Sequence, residues 1–297
     1  MSGPPPSPLV SVIIVSYNTR ELLLQCIDAL RKATEVPNEV IVVDNGSRDG
    51  SAEAVEQRYP DAVVVRQRNL GFGRGNNAGL QQAGGKFVLL LNSDVLVKQG
   101  CVDRLADYLL LHPEVGAVGP RLIRPSGELD LACRRGFPTP RASFFRVLGL
   151  SRLFSRSRFF NAYNLGYLDE HKEHEIDSGT GACLLVRRST IDQVGFFDPD
   201  FFMYGEDLDL CFRIKEGGWK VVYLPAAEAV HLKGQSTRQA TGRMLFAFHS
   251  AMWTFHSKHY AADLSAFPNG LVWASIWARW AVLRARALVT RDQRVSA

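Results

Sequence analysis

Runs of β-branched residues alternate with segments of helical spacing over the first hundred residues of the chain. The nearly continuous apolar run at 10–17, VSVIIVSY, predicts a buried strand. Residues 20–32 place Leu23, Ile27 and Leu30 at helical spacing and predict a helix. The same patterns predict strands at 39–44, 62–66 and 87–91 and helices at 51–58 and 76–83. This alternation predicts an α/β fold, a doubly wound, mostly parallel sheet flanked by helices.

The remainder of the chain is less regular. Residues 121–165 lose the alternation and are rich in Arg, Phe and Ser, which predicts a mobile or substrate-facing segment. Regular patterns return with predicted strands at 181–186 and 219–224, a short helix near Thr190, and a helix at 207–215 that ends at glycines. From residue 243 onward, and over 271–289 in particular, the pattern predicts helices.

Composition narrows the class of protein. The chain has 297 residues, of which 46% are hydrophobic and 22% charged, so it can bury a sizeable core and is not disordered. Its five cysteines include no C-x-x-C pair, which predicts a reduced setting without a thiolate metal site. No secretory signal is expected, and the Pro-rich start at 1–9 predicts a disordered tail. The longest uncharged apolar stretch, 264–278, is too short to cross a bilayer, so we expect a cytoplasmic protein.

The charge is unevenly distributed. Residues 121–160 hold nine basic and two acidic residues, as do residues 231–297, and the rest of the chain is acidic. Such segments attract phosphates or anionic lipids, although a solvated basic surface is an equally good interpretation. Nucleic acid is not expected as a partner, because no nucleic-acid-binding motif accompanies the charge.

Several motifs offer chemistry where predicted strands end. Asp44 precedes Asn45-Gly46, which predicts either a turn or a hydrogen bond to a nucleotide. Asn92-Ser93-Asp94 offers an oxygen ligand for a hard divalent cation or a helix cap. The glycine-rich string at 71–79 lacks the dinucleotide spacing, which disfavours a nicotinamide dehydrogenase and leaves a phosphate contact or a tight loop.

Two later motifs are equally ambiguous when taken singly. Glu206-Asp207 stands at the start of a predicted helix, where a carboxylate either complements the helix dipole or acts as a general base. His231, near Lys233 and Ser236, is either a structural histidine or a phosphate or metal contact.

The order of these motifs resembles a known enzyme family. VSVIIVSYN, VIVVDNGSRDGS, NLGFGRGNNAG and LLLNSD resemble the nucleotide-sugar-binding half of the family 2 glycosyltransferases, which have the GT-A fold. DSGTGACLLVRRS, the string around GEDLDLCFR and then HLKGQS resemble the acceptor half, most closely in the bacterial rhamnosyltransferase-type branch. The resemblance implies a donor half at 10–120, an acceptor and catalytic half of the same domain at 121–240, and a helical region at 241–297 that associates with membrane or dimerises.

The resemblance also implies roles for individual residues. Asp207 is the implied catalytic base, and Asp94 with His231 is the implied holder of Mg²⁺ or Mn²⁺. Asn92 departs from the family's D-x-D pattern, where an acid is usual. The implied donor-binding residues are Ser16, Asn18, Asp44, Asn45, Arg74, Asn77, Asn92, Ser93 and Asp94. The implied acceptor-facing residues are Gly179, Thr180, Gly181, Ala182 and Glu206.

The implied activity is an inverting, metal-dependent sugar transfer in bacterial cell-surface polysaccharide synthesis. The donor is a nucleoside-diphosphate sugar, with dTDP-rhamnose first and a UDP- or GDP-sugar as the alternative, and a catalytically silent nucleotide-sugar-binding scaffold also stays open. The acceptor is a glycan or a polyprenyl-diphosphate-linked glycan at the inner membrane face. Five arginines are candidates to meet its diphosphate, namely Arg134, Arg135, Arg141, Arg146 and Arg152. Tryptophans and arginines between Trp273 and Arg286 suit an interfacial helix, or packing on the catalytic domain or a second subunit.

Overall fold

The structure is a computed structural model that describes residues 7–232 and 241–295. Most of the Pro-rich tail, together with Lys233 and Ser236, lies outside the described residues.

The first part of the chain forms the predicted parallel sheet. Its strands are β1 (Val10–Ser16), β2 (Asn38–Asp44), β3 (Val63–Arg66) and β4 (Phe87–Asn92). Its helices are α1 (Arg20–Ala33), α2 (Ser51–Arg58) and α3 (Phe72–Leu80). The strands lie in the order β3-β2-β1-β4, all parallel, so the order reverses at β1 and the carboxyl ends of β1, β2 and β4 meet at one edge.

The same sheet continues into the second part of the chain. The further strands are β5 (Val95–Val97), β6 (Val115–Ile123), β7 (His174–Ile176), β8 (Cys183–Arg187) and β9 (Lys220–His231). They extend the order as β4-β8-β6-β9-β5, with β7 also paired to β9. Among the described residues β1 to β4, β6 and β9 run one way and β5, β7 and β8 run the other, which confirms a mostly parallel sheet.

Helices cover the sheet and extend beyond it. They are α4 (Cys101–Leu111), α5 (Pro140–Val147), α6 (Leu150–Leu153), α7 (Arg188–Val194), α8 (Glu206–Glu216), α9 (Thr241–His259) and α10 (Ala266–Val295). The sequence patterns did not predict the strands β5, β6 and β7 or the helix α4. The predicted substrate-facing segment at 121–165 contains the end of β6 and the helices α5 and α6.

Strand β9 is longer than the prediction of a strand at 219–224. Proline lacks the N–H that a ladder needs, and Pro225 follows the predicted end of the strand. The structure accommodates it with a shift in register against β6, from Pro120 opposite Leu224 to Arg121 opposite Glu228. The strand then continues to His231, which pairs with Val95 of β5. The sequence pattern therefore gave the wrong end for this strand.

Two hydrophobic clusters hold these layers together. The main one packs β1, β2, β4, β6, β8 and β9 against helices on both faces, and most of its side chains are fully buried. A smaller cluster of Phe201, Leu208, Ala251 and Phe255 packs α8 against α9. The C-terminal helices are thereby attached to the start of α8.

The C-terminal helix α10 divides its aromatic side chains between packing and solvent. Trp277 lies 5.5 Å from the ring of Phe246 on α9 and 5.9 Å from Trp280. Phe267 and Trp273 are instead exposed, at 76% and 51%. No helix within residues 7–232 and 241–295 has the length and hydropathy needed to cross a bilayer.

The glycine-rich string forms helix α3 itself, so the prediction of a helix at 76–83 began too late. Gly71 adopts φ +97° before the helix, and Gly75 and Gly79 face the sheet. A Cβ on Gly79 would lie 2.5 Å from Cγ2 of Ile13 and 3.2 Å from Cγ2 of Val43. The glycines therefore allow α3 to approach β1 and β2 closely.

We expect Gly79→Val to lower the free energy of unfolding by about 1–3 kcal/mol, because the added methyl groups overpack the contact with Ile13. Urea unfolding measures the change. Gly84→Ala is the control, since its Cβ would meet nothing closer than Glu39 Oε1 at 3.6 Å. Equal stability of the two variants would contradict close packing of α3.

Candidate active site

Strand register aligns the first candidate residues along the sheet edge. Ser16 pairs with Asp44 across β1 and β2, and Val15 pairs with Asn92 across β1 and β4. Asp44 is 5% exposed, and its Oδ2 accepts a hydrogen bond from the Ser47 N–H at 3.1 Å. The structure therefore brings Ser16, Asp44 and Asn92, three of the implied donor-binding residues, to one edge of the sheet.

Two buried oxygens at this edge lack hydrogen-bond donors. Asp44 Oδ1 and Asn92 Oδ1 have no partner among the described residues. An unsatisfied buried acceptor is costly, and most such groups in native proteins find a partner. Both oxygens can therefore accept polar hydrogens from a bound ligand, such as the N–H groups of a base or the hydroxyls of a sugar.

The loops after β1 and β2 are fastened to each other. Asn18 adopts φ +53°, donates its N–H to Ser47 Oγ at 2.9 Å and accepts the Arg48 N–H at 2.8 Å. Hydroxyl groups connect Ser16 to Thr19 at 2.9 Å and Thr19 to Ser93 at 3.0 Å. Asn18, Ser16 and Ser93 thus stabilise the loops that surround Asp44.

Three predicted donor-binding residues bond to protein backbone instead. Asn45 donates to the Gly71 carbonyl at 3.1 Å, and Arg74 is exposed, with its Nε 3.4 Å from the Pro199 carbonyl. Asn77 donates to the Phe197 carbonyl at 2.7 Å and accepts the Phe197 N–H at 3.1 Å. Arg74 and Asn77 thus connect α3 to the segment before α8, and Asn45 connects the end of β2 to the residue before α3.

Asp94 and His231 are brought together by the extension of β9. Asp94 Oδ1 lies 3.4 Å from His231 Nε2, and the Asp94 carbonyl accepts the Leu232 N–H at 2.8 Å. The other ring nitrogen, Nδ1, lies 2.9 Å from Oδ2 of Asp130, which is 1% exposed. Sequence reasoning missed Asp130, whose one signal was its rarity as an acid in a basic segment.

The charge state of His231 follows from this environment. Burial alone would lower the pKa of His231, but the hydrogen bonds to Asp130 and Asp94 and their negative charges raise it to about 9. The imidazole is therefore a cation between two carboxylates when no metal is bound, and a metal ion would replace the proton on Nε2.

The donor set fits a divalent cation completed by a substrate. A carboxylate that fixes the second nitrogen of a ligating histidine is the usual outer partner of a metal site, and Asp130 holds that position. No group of three His, Cys, Asp or Glu side chains that could hold a metal occurs in the part of the chain that the structure describes. Asp94 and His231 would then supply two ligands, with diphosphate oxygens supplying others, as Mg²⁺ usually requires.

Asp207 stands at the start of α8, after Gly205 with φ +80°. Its Oδ2 accepts hydrogen bonds from Arg135 Nη2 at 2.7 Å and the Gly181 N–H at 3.2 Å, and its Oδ1 accepts the Leu208 N–H at 2.8 Å. A carboxylate has about four lone-pair sites, so Asp207 can accept one further hydrogen bond.

Arg135 is part of this site, which corrects the expectation that it meets an acceptor diphosphate. Its guanidinium also donates to the Gly179 carbonyl at 2.5 Å, and its backbone pairs with Ser178 through two bonds of 2.9 Å. The neighbouring Arg134 is buried and donates to the Leu168 carbonyl at 3.1 Å. Of the five candidate arginines, Arg141, Arg146 and Arg152 remain exposed.

The other predicted acceptor-facing residues surround Asp207. Glu206 is 5% exposed, and burial, with the adjacent Asp207 charge, raises the pKa of Glu206 well above its usual range. Its Oε2 is buried without a partner among the described residues. Gly181 lies against Phe72, whose Cε1 would be 3.1 Å from an added Cβ. The Ala182 N–H is 3.4 Å from Thr180 Oγ1.

The second aspartate of the GEDLD string has a different environment. Asp209 is 1% exposed and accepts hydrogen bonds from Arg213 Nε at 2.9 Å and Nη2 at 2.8 Å. His259 Nε2 of α9 lies 2.8 Å from its other oxygen. Asp209 therefore joins α8 to α9, whereas Asp207 faces the Gly181 loop.

The amino-acid sequence is similar to those of known glycosyltransferases. The sequence model of the family described as glycosyl transferase family 2 matches residues 11–195 of this chain. The N-acetylglucosaminyl-diphospho-decaprenol L-rhamnosyltransferase of Mycobacterium tuberculosis is 35% identical over 272 residues, covering 86% of this chain and 88% of that protein. Rhamnosyltransferase WbbL of Escherichia coli K12 is 26% identical over 242 residues, covering 77% and 86%.

A solved structure shares the fold. The mannosyltransferase PcManGT of Pyrobaculum calidifontis, solved with GDP-Man and Mn²⁺, superposes with a TM-score of 0.59 at 18% identity. The match covers 98% of this chain and 81% of that one. The sheet order and the flanking helices are those of the GT-A fold.

Proposed function

The chain belongs to glycosyl transferase family 2, in its rhamnosyltransferase-like branch, and from this we propose an inverting, metal-dependent transfer of a sugar to a lipid-linked glycan. We propose L-rhamnose as the sugar and dTDP-rhamnose as its donor, by analogy with the activity that names the mycobacterial relative. The observation that carries the proposal is the buried Asp207 carboxylate, which Arg135 and the Gly181 N–H hold beside the donor edge of the sheet.

The donor nucleotide would bind at the carboxyl edge of β1, β2 and β4. Asp44 Oδ1 and Asn92 Oδ1 would accept its polar hydrogens, since both are buried without partners among the described residues. Asp94 and His231 would hold a divalent cation, oriented by Asp130. Such a cation neutralises negative charge on a leaving diphosphate.

The acceptor hydroxyl would use the remaining lone-pair site of Asp207. As the hydroxyl oxygen forms a bond to the anomeric carbon, the bond from that carbon to the diphosphate breaks and the hydroxyl proton passes to Asp207. Because attack and departure occur on opposite faces in one displacement, the anomeric configuration inverts. Arg135 positions Asp207 through Oδ2 and compensates its buried charge.

The proposed activity is tested by supplying dTDP-rhamnose, UDP-sugars and GDP-sugars with an N-acetylglucosaminyl-diphosphate lipid and Mn²⁺.

We expect Asp207→Asn to lower kcat by about 10²–10⁴-fold in this assay, because the amide cannot take a proton. The variant should bind the nucleotide sugar as the unaltered protein does. Asp192→Asn, at an exposed position on α7, is the control. Normal turnover by Asp207→Asn would remove Asp207 from the role of base, and no transfer from any donor would contradict the proposed function.

We expect Arg135→Gln to lower kcat by about 10²-fold, because a base held about 1 Å out of place loses that much. Arg135→Lys should recover part of the loss, since it keeps a cation near Asp207 Oδ2. Steady-state kinetics give kcat and KM for both variants, and thermal unfolding checks that they fold. Equal activity of the Gln and Lys variants would contradict a positioning role for the charge.

We expect Asp130→Asn to weaken Mn²⁺ binding by about 10–100-fold, the usual cost of removing a carboxylate behind a ligating histidine. Calorimetric titration with Mn²⁺ in the presence of dTDP measures the affinity. Asp61→Asn, at an exposed pair with Arg31, is the matched control. Unchanged Mn²⁺ affinity in Asp130→Asn would show that Asp130 does not orient His231 toward a metal.

A further inference from the structure

The α5–α6 segment, residues 137–162, leaves the sheet and returns to it at a single point. The Tyr163 carbonyl, just after the segment, accepts the N–H of Gly136, just before it, at 2.8 Å. Arg135 precedes Gly136, and its guanidinium binds Asp207. The base of the α5–α6 segment is therefore fixed beside the Asp207 site.

Five phenylalanines of this segment form one continuous cluster of rings. Phe145 lies 5.9 Å from Phe144 and 5.2 Å from Phe159, measured between ring centroids. Phe160 lies 4.9 Å from Phe145 and 5.0 Å from Phe154. None of the five is a member of the two hydrophobic clusters formed by the residues that the structure describes. Phe144, Phe154 and Phe159 are 58%, 45% and 51% exposed, so the rings pack on one another and still present an apolar surface to solvent.

Two exposed leucines enlarge this surface. The Leu148 N–H donates to the Phe144 carbonyl at 3.1 Å, so the two side chains lie one turn apart on the same face of α5. Leu148 is 56% exposed, and Leu153, next to Phe154 at the end of α6, is 74% exposed. Exposed apolar side chains grouped in this way usually mark a binding surface.

The same segment is strongly basic. It contains no acidic residue and five arginines, all exposed, namely Arg141, Arg146, Arg152, Arg156 and Arg158. Arg141 stacks over the ring of Phe159, with its Cζ 5.1 Å from the centroid, so a cation lies on the phenylalanine cluster itself. None of the five forms an ion pair with a carboxylate within residues 7–232 and 241–295. The surface thus combines exposed apolar groups with positive charge that no carboxylate pairs.

We propose that the α5–α6 segment docks the protein on the surface of an anionic lipid bilayer. Its phenylalanines and leucines would enter the interface, and its arginines would bind lipid phosphates. Apolar burial and attraction to anionic lipids together hold amphipathic segments on a membrane, and this surface offers both. A second copy of the chain fits less well, because a two-fold contact through this surface would bring arginines against arginines. The proposal goes beyond the proposed function, since it concerns where the protein docks and not what it transfers.

Helix α10 offers only one of these two contributions at its exposed apolar pair. Phe267 and Leu271 lie one turn apart and are 76% and 56% exposed, much like Phe144 and Leu148 on α5. Residues 264–278 contain no charged residue, so this pair has no arginine near it in the sequence. The observations therefore favour α5 over the interfacial helix expected from the tryptophans of α10.

Co-sedimentation of the full chain with lipid vesicles tests the proposal. We expect binding to vesicles that contain phosphatidylglycerol to exceed binding to pure phosphatidylcholine, and to fall as salt rises. Phe144→Gln/Leu148→Gln should lower the partition coefficient by more than about tenfold, because each side chain has over half of its surface to transfer. Arg141→Gln should lower it about fivefold. The matched control is Phe267→Gln/Leu271→Gln, which removes the same pair of side chains from α10.

Several outcomes would overturn the proposal. They are equal loss in the two double variants, loss in the α10 variant alone, or no binding of the unaltered protein to anionic vesicles. If the α5 variant binds vesicles normally but loses binding to single-stranded RNA, nucleic acid and not a bilayer covers this surface. Thermal unfolding checks that each variant folds. Because vesicle binding needs no sugar transfer, its result stands whether or not the proposed activity is found.

Transfer assays distinguish docking on the bilayer from binding of the acceptor's own lipid. We expect Phe144→Gln/Leu148→Gln to raise KM for the lipid-linked acceptor in anionic vesicles and to leave KM for the same acceptor in neutral detergent micelles unchanged. An equal rise in both would mean that these side chains bind the acceptor lipid itself, and the proposal would be wrong.

Discussion

The ion pair between Asp207 and Arg135 is the interaction on which the arrangement of the second part of the chain depends. A buried carboxylate needs a compensating charge, and the guanidinium that supplies it comes from 72 positions earlier in the chain. The same carboxylate accepts the Gly181 N–H, and the same guanidinium binds the Gly179 carbonyl. One pair of charges therefore holds three segments in register: the strand-like stretch at Arg135, the loop before β8 and the start of α8.

The end of β4 and the start of α8 are joined by backbone as well as by side-chain contacts. Asn92 at the end of β4 donates its N–H to the Ala182 carbonyl at 2.9 Å, and the preceding Gly181 donates to Asp207. Two consecutive residues of one loop thus connect the Asn92-Ser93-Asp94 turn to the candidate base. An in-line displacement, as proposed above, needs a leaving group and a base at a fixed separation, and this loop is a short connection between the two candidate sites.

Residues of one type serve different purposes within short stretches of the chain. Asp207 is 9% exposed and binds the Gly181 loop, whereas Asp209, two residues further along α8, is 1% exposed and binds Arg213 and His259, which attaches α9. Asn92 retains an unpartnered oxygen, whereas Asn77 uses both of its polar atoms on the backbone of Phe197. The residue type is the same in each comparison, so what separates the environments of these side chains is the set of partners that the fold brings to them.

The sequence by itself determined the alternation of strands and helices, the parallel direction of the first four strands and the placement of Asp44, Asn92 and Asp94 at strand ends, because these follow from apolar periodicity and the direction of the chain. It also pointed to Asp207 and His231 through motif resemblance. It did not determine the length of β9, the helical course of the glycine string, or the partners Asp130 and Arg135. These depend on contacts between residues far apart in sequence: a register shift past Pro225 carries His231 to Asp94, and burial decides which carboxylate each cation must neutralise. Only the tertiary structure brings such charges together, since no local pattern records which distant side chain will share a buried site.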